Sequence, residues 1–210
     1  MKRFYKGEIV EEIYSPLNQL DFSAELTKVA ASKPQAVFAF YPGGLGVTFV
    51  RQYQQTGLLG TIPLYTTSTI EGPLLPAMGT AAIGTVVADT WTPGHPGEDT
   101  RRFVEAFRAK YQRLPSAPAA FSYDVAMLLD TAVRSLKGST VDRKALTKAI
   151  ESAQFKSLRG AFRFGANHFP VQDYHAYKVA NVGGKPGFEL LQAQVLKSHA
   201  DAYVSRCTSR

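Results

Sequence analysis

The sequence predicts an α/β fold, with parallel strands flanked by helices. Three observations predict it. Short continuous apolar runs recur in the first part of the chain (Ala36 to Phe40, Ile62 to Thr66, Ala81 to Ala88), the pattern of strands buried on both faces of a parallel sheet. Between them lie stretches with apolar residues at helical spacing, and a strand–helix–strand succession calls for right-handed crossovers. A turn-rich break, Thr92 to Gly97 (TPGHPG), then separates this α/β part from a half dominated by helical patterns.

The elements follow in order. Gly7 to Tyr14 (GEIVEEIY) alternates as a strand does and ends at Ser15-Pro16. Asp21 is a suitable N-cap for a helix to about Ser32, with Phe22, Leu26 and Val29 on one face. Lys33-Pro34 stops it. After the AVFAF strand, Pro42-Gly43-Gly44 turns the chain into a helix carrying Val47, Phe49, Val50 and Tyr53 and ending at Gly57. The unit repeats with the IPLYT strand, a helical stretch at Leu74 to Met78 and the AAIGTVVA strand. Beyond the break come helices over Asp99 to Tyr111, about Ala119 to Leu136, and Asp142 to Ala153. Strand patterns return at Gly160 to Phe164 and Tyr174 to Asn181. A Gly183-Gly184 hairpin leads to Phe188 to Leu191, and about Gln192 to Cys207 reads as a helix. The second half thus has helices but lacks a sheet of its own for them to lie on.

Composition narrows the function. The 210 residues are 45% hydrophobic and 20% charged, with no apolar run long enough to span a membrane. The charged start of the chain has no apolar stretch behind it, so no secretory signal is read there. The net charge of +7 is uneven: −1 over residues 1–97 and +8 over 98–210. The bases of the second half are interspersed with acids along helical patterns, which describes solvated helix faces and not a nucleic-acid stripe. Cys207 is the lone cysteine. His95, His168, His175 and His199 are scattered without metal-ligand spacing, so neither a metal nor another cofactor is expected. No nucleophile elbow, dinucleotide fingerprint or P-loop is present, and no catalytic residue is assigned.

Binding signals remain. Gly43-Gly44-Leu45-Gly46 follows a buried strand and opens a helix, where free backbone N–H groups favour an anion. Ligands of open parallel sheets bind at the carboxyl ends of strands, and both this loop and Thr66-Thr67-Ser68-Thr69 lie there. A glycine-requiring turn and a solvated loop explain the same residues without a ligand. Tyr41 and Tyr123 are rings that could stack on a ligand, although Tyr123 recurs with Ala126, Met127, Asp130 and Val133 at core-like helical spacing. Trp91 beside the break is either a hinge packer or a cleft wall.

Taken in succession, the segments GEIVEEIYSPLNQLDFSAELTKVAASKPQAVFAFYPGGLGVTFVRQYQQTGL, GTAAIGTVVADTWTP, FVEAFRAKYQRLPSAPAAFSYDVAMLLDTAV and RGAFRFGANHFPVQDYHAYKV resemble the type I periplasmic substrate-binding proteins. More narrowly, they resemble the branched-chain amino acid (Leu/Ile/Val) receptors of ABC transporters. The resemblance implies a periplasmic-binding-protein-like I fold of two α/β lobes joined by three crossing segments, with the ligand held in an interlobe cleft. Residues 1–91 and 168–190 would form the second, ligand-binding lobe, nearly complete but without its opening strand. Residues 92–165 would be the helical part of a truncated first lobe, and 191–210 a C-terminal helix and tail. Trp91, Thr92 and Pro93 would stand at the hinge, and the third crossing near Arg163 to Phe169.

Carried over by position, the ligand-binding residues would be Tyr41, Gly43, Gly44, Thr67, Ser68 and Tyr123. Amino-acid-binding members place a carboxylate for the ligand's ammonium in the loop that here reads TTST, where the first acid is Glu71. That departure, with HFPVQDY and YPGG, resembles members that take up aromatic or other small carboxylic acids. The resemblance further implies a periplasmic location, an ABC permease as partner, and no catalysis. A Rossmann-like enzyme and the ligand-sensing core of a regulator are the alternatives. A chain with part of a lobe missing is expected to expose apolar helix faces and self-associate.

Overall fold

The computed structural model describes residues 5–207; the ends of the expected 1–91 and 191–210 segments at 1–4 and 208–210 lie outside them. The described residues form two compact units, one running to Ala88 and joined by 177–189, the other made of 89–176 and the residues from Leu190 on. It changes unit after Ala88, again after Ala176, and once more after Glu189.

In the first unit, α1 (Ser23–Ser32), β1 (Val37–Ala39), α2 (Gly44–Gln55), β2 (Leu64–Thr66), α3 (Leu75–Met78) and β3 (Val86–Asp89) alternate as expected. The strands are parallel in the order β1-β2-β3, with Ala39 level with Thr66 and Thr66 level with Val87. That register brings the carboxyl ends of β1 and β2 together. Burial of Leu26, Phe49, Val50 and Tyr53 on the helices and of Leu64 and Val87 on the strands drives the packing. Asp21 accepts the Ser23 N–H at 2.9 Å just before α1, while Phe22 N–H donates to Gln52 Oε1 at 2.7 Å and ties α1 to α2.

In the second unit are α4 (Glu98–Tyr111), α5 (Ala117–Ser135), α6 (Arg143–Ser152) and β4 (Phe162–Phe164). Their core centres on Trp91, Ala120 and Leu158, with Phe103, Val104, Ala117 and Phe121 packed around it. Ser116 caps α5 by accepting the Ala119 N–H, and Pro118 fits its first turn, where no N–H is needed. Asp142 caps α6, accepting from Lys144 and Ala145.

Two long strands, β5 (Pro170–Val182) and β6 (Lys185–His199), form a hairpin about Gly183 and Gly184. Both glycines have positive φ, as a two-residue hairpin turn requires. The tip of the hairpin belongs to the first unit, where Gly84 N–H donates to Val179 O and Val179 N–H to Thr85 O. Its base belongs to the second unit and pairs with β4 antiparallel, Phe162 opposite Gln172.

The structure corrects several expectations. Residues 192–199 are strand, not the start of a C-terminal helix. The glycine turn delivers them to β5, and pairing there outweighs a helical propensity worth only tenths of a kcal/mol per residue. Among the described residues that follow β6, Val204–Arg206 form a 3-10 turn. Gly7 to Tyr14 alternates but has no ladder partner among the described residues and is not strand. The AAIGTVVA strand shortens to β3, because Gly79–Ala82 form a 3-10 turn and Gly84 takes φ 100°. The stretch expected to be the third crossing, 163–169, lies within the second unit.

Candidate functional site

The site begins with the loops that leave β1 and β2. Tyr41 N–H donates to Thr69 Oγ1 at 2.9 Å, and Thr69 Oγ1 lies 3.1 Å from Thr67 O. Thr69 is fully buried, so its hydroxyl is a strut between the loops. Thr66 is likewise buried, its hydroxyl directed to Val86 O. Of the four hydroxyls in the run, Thr67 and Ser68 remain half-buried and accessible. Ser68 sits at φ 49°, a left-handed conformation uncommon for a residue other than glycine and frequent at ligand-holding loops.

The glycines of the first loop divide by role. Gly43 has φ 68° and ψ −143°, a backbone conformation that a side chain would strain, and it precedes α2 without a side-chain cap. Gly43 and Gly44 are exposed. No side chain caps the first N–H groups of α2, where the positive end of its dipole lies, and the loop before it meets the Thr66–Thr69 loop through the Tyr41–Thr69 hydrogen bond. Gly46 was singled out only as part of the run, yet it has the strictest demand. A Cβ there would stand 2.3 Å from Tyr41 O and 2.8 Å from Thr69 O. The signal was present as a third glycine; its reason, the approach of two loops distant in sequence, was not.

Tyr41 is placed at this loop but held as a wall. Its ring packs against Phe22 and Phe49, with centroids 5.0 and 4.7 Å away, and its hydroxyl accepts from Ser15 Oγ at 2.9 Å. Tyr53 behind it donates its hydroxyl to Ile62 O, and burial pushes its pKa up to about 12, so it stays neutral. Tyr41, Gly43, Gly44, Thr67 and Ser68 thus come together in the first unit.

Tyr123 lies in the second unit, 40% exposed on α5, with its ring 5.1 Å from Phe103. The residue after it, Asp124, carries the densest polar network there. Its carboxylate accepts from Leu158 N–H (2.8 Å), Ser157 Oγ (2.6 Å) and Arg159 Nε (2.9 Å). Arg159 also donates to Gln172 Oε1 and lies over the rings of Phe121 and Phe162. Both carboxylate oxygens of Asp124 and the Nε and Nη1 of Arg159 are engaged, which suits a clamp holding α5 to the base of β5.

Trp91, Thr92 and Pro93 follow the first change of unit. Trp91 is fully buried and donates Nε1–H to Thr100 Oγ1 at 3.2 Å; Thr92 accepts the Gly94 N–H in the turn that follows. Sequence reading missed that His95 and His175 meet edge to face at 4.8 Å. Burial, and then the proximity of His175, lowers the pKa of His95 to about 4. Among the described residues no three or more His, Cys, Asp or Glu side chains are grouped to hold a metal ion, and no helix is long and apolar enough to cross a membrane.

Comparison with known proteins identifies the family. Residues 2–185 match the profile of the family described as periplasmic binding protein. The Leu/Ile/Val-binding protein homolog 6 of Brucella melitensis is 30% identical over 159 residues, 73% of this chain and 40% of that protein. The solved solute-binding protein of an R. palustris ABC transporter in complex with benzoate is 30% identical, with TM-score 0.81, over 94% of this chain and 53% of that one. A solute-binding protein from Rhodopseudomonas palustris BisB5, in complex with 3,4-dihydroxybenzoic acid, is also 30% identical, with TM-score 0.83, over 93% and 54%. The chain spans about half the length of these solved relatives.

Proposed function

The chain belongs to the periplasmic binding protein family, and from that premise we propose that it binds a small organic acid, an aromatic carboxylate first among them, without catalysis. The observation that carries this reading is the first-unit site. The start of α2 has no side-chain cap, the loop that leads to it is tied by the Tyr41–Thr69 hydrogen bond to the loop that carries the accessible Thr67 and Ser68, and no acid lies within the TTST loop. Such a set donates hydrogen bonds and favours negative charge, as a carboxylate needs. An α-amino acid would in addition need a partner for its ammonium, which that loop does not contain. The benzoate and 3,4-dihydroxybenzoic acid held by relatives at 30% identity support the aromatic preference.

In this reading, the first unit, which ends at Ala88 and resumes over 177–189 where 1–91 with 168–190 was expected, acts as the ligand-binding lobe, and 92–165 as the helical part of the other. Trp91, Thr92 and Pro93 serve the hinge, and Tyr123 is a ligand contact on the strength of the family resemblance alone. The protein is the solute-binding component of an ABC uptake system, works in the periplasm and delivers its ligand to a permease. Calorimetric titration with benzoate, 4-hydroxybenzoate and leucine tests the central point. Heat of binding with the aromatic acids and none with leucine is expected; binding of leucine alone overturns the aromatic preference.

A further inference from the structure

Strand β6 leaves an open edge. Every residue from Leu190 to His199 is exposed, and β6 pairs with β5 alone among the described strands. Leu191 and Leu196 are 57% and 48% exposed, with Leu190 and Val195 somewhat less so. No charged side chain interrupts the run between Glu189 and Lys197. A long apolar edge of this kind is a template for another strand, and natural edges are usually blunted by central lysines, prolines or bulges. Here Gln194 and Ser198 do depart from regular strand, with φ of 51° and 47°. Both irregularities are taken up at the inner edge, where the two N–H groups donate to His175 Nδ1 (3.2 Å) and Asp173 Oδ1 (2.7 Å) of β5. Leu190–Ala193 and Val195–Lys197, which flank Gln194, belong to a strand that no described strand pairs on its other side.

We infer that this edge pairs with β6 of a second copy of the chain, antiparallel about the Gln192–Gln194 middle. A two-fold contact must be self-complementary, and this strand is so when run antiparallel. The Glu189 end of one copy then meets the Lys197 end of the other, twice. Leu190 and Leu191 of each copy meet Val195 and Leu196 of its mate. Parallel pairing would instead set like charges side by side. With a net charge of +7 per chain, indiscriminate association of copies is opposed, so the local match of charge and apolar surface selects this strand.

Sedimentation velocity on the intact chain over a concentration series tests the pairing, and needs no ligand, so it stands or falls apart from the binding proposal. A reversible dimer is expected. Glu189→Lys should raise its dissociation constant about tenfold, as two attractions become two repulsions, and adding Lys197→Glu should restore it. Leu191→Lys should give a monomer whose circular dichroism remains that of the folded chain. A monomer at all concentrations, a dimer indifferent to Glu189→Lys, or a double charge swap that restores nothing overturns the inference.

Discussion

Gly46 is the residue on which the geometry of the candidate site turns most sharply. Alanine there would drive Cβ to 2.3 Å from one backbone carbonyl and 2.8 Å from another, neither of which can rotate away. Gly46→Ala should therefore cost about 2 kcal/mol or more of stability, read from urea unfolding; an unchanged midpoint would contradict the close packing of the two loops. His95 makes a pH prediction. Its folded pKa of about 4 lies below the ordinary 6.5, so between those values the unfolded chain binds a proton that the folded chain does not. Its contribution is complete above pH 6.5 and declines as pH falls toward 4, by up to about 3 kcal/mol. His175, also lowered by burial, acts in the same direction, while Asp89, raised by burial, acts in the opposite one. Comparing wild type with His95→Phe isolates the effect: the variant should lose less stability over that window, and parallel pH profiles would remove His95 from the account. The residues of the two candidate-site loops were legible as a glycine run and a hydroxyl run. The division of Thr66 and Thr69 into struts and of Thr67 and Ser68 into accessible groups was not, because it depends on the β1–β2 register.

Among the elements, α5 depends most on a single interaction. Removing the Asp124 carboxylate leaves the Arg159 guanidinium buried between two rings without its counter-charge. Asp124→Ala should cost about 3–5 kcal/mol, whereas Asp142→Ala, which removes only the α6 cap, should cost about 1 kcal/mol; thermal unfolding of both variants ranks them. Equal, small losses would mean that the clamp contributes no more than a cap. Elements with strong local signals were readable: α1, α2, α4, α5 and α6 lie where apolar spacing and stop residues put them. Those whose form depends on a distant partner were not. Leu190–Leu196 has a composition compatible with helix or strand, and only the β5 register decides it. Gly7 to Tyr14 has the converse problem, an alternating pattern with no neighbour to pair with.

For the whole molecule, the order of segments carried more information than any motif. Family and fold followed from that order, and the family's profile matches the succession as one stretch over residues 2–185. The first change of unit, after Ala88, falls close to the boundary read at Trp91, but the other two were not legible, because β5 and β6 run through them without any break in composition. The central claim is that a carboxylate binds where the β1 and β2 loops meet. Titrating the isotope-labelled chain with benzoate while following backbone amide resonances tests it residue by residue. The account predicts that Gly44, Leu45, Thr67 and Ser68 shift together along one saturation curve. Shifts confined to other residues, or none at these four while leucine moves them, would contradict it.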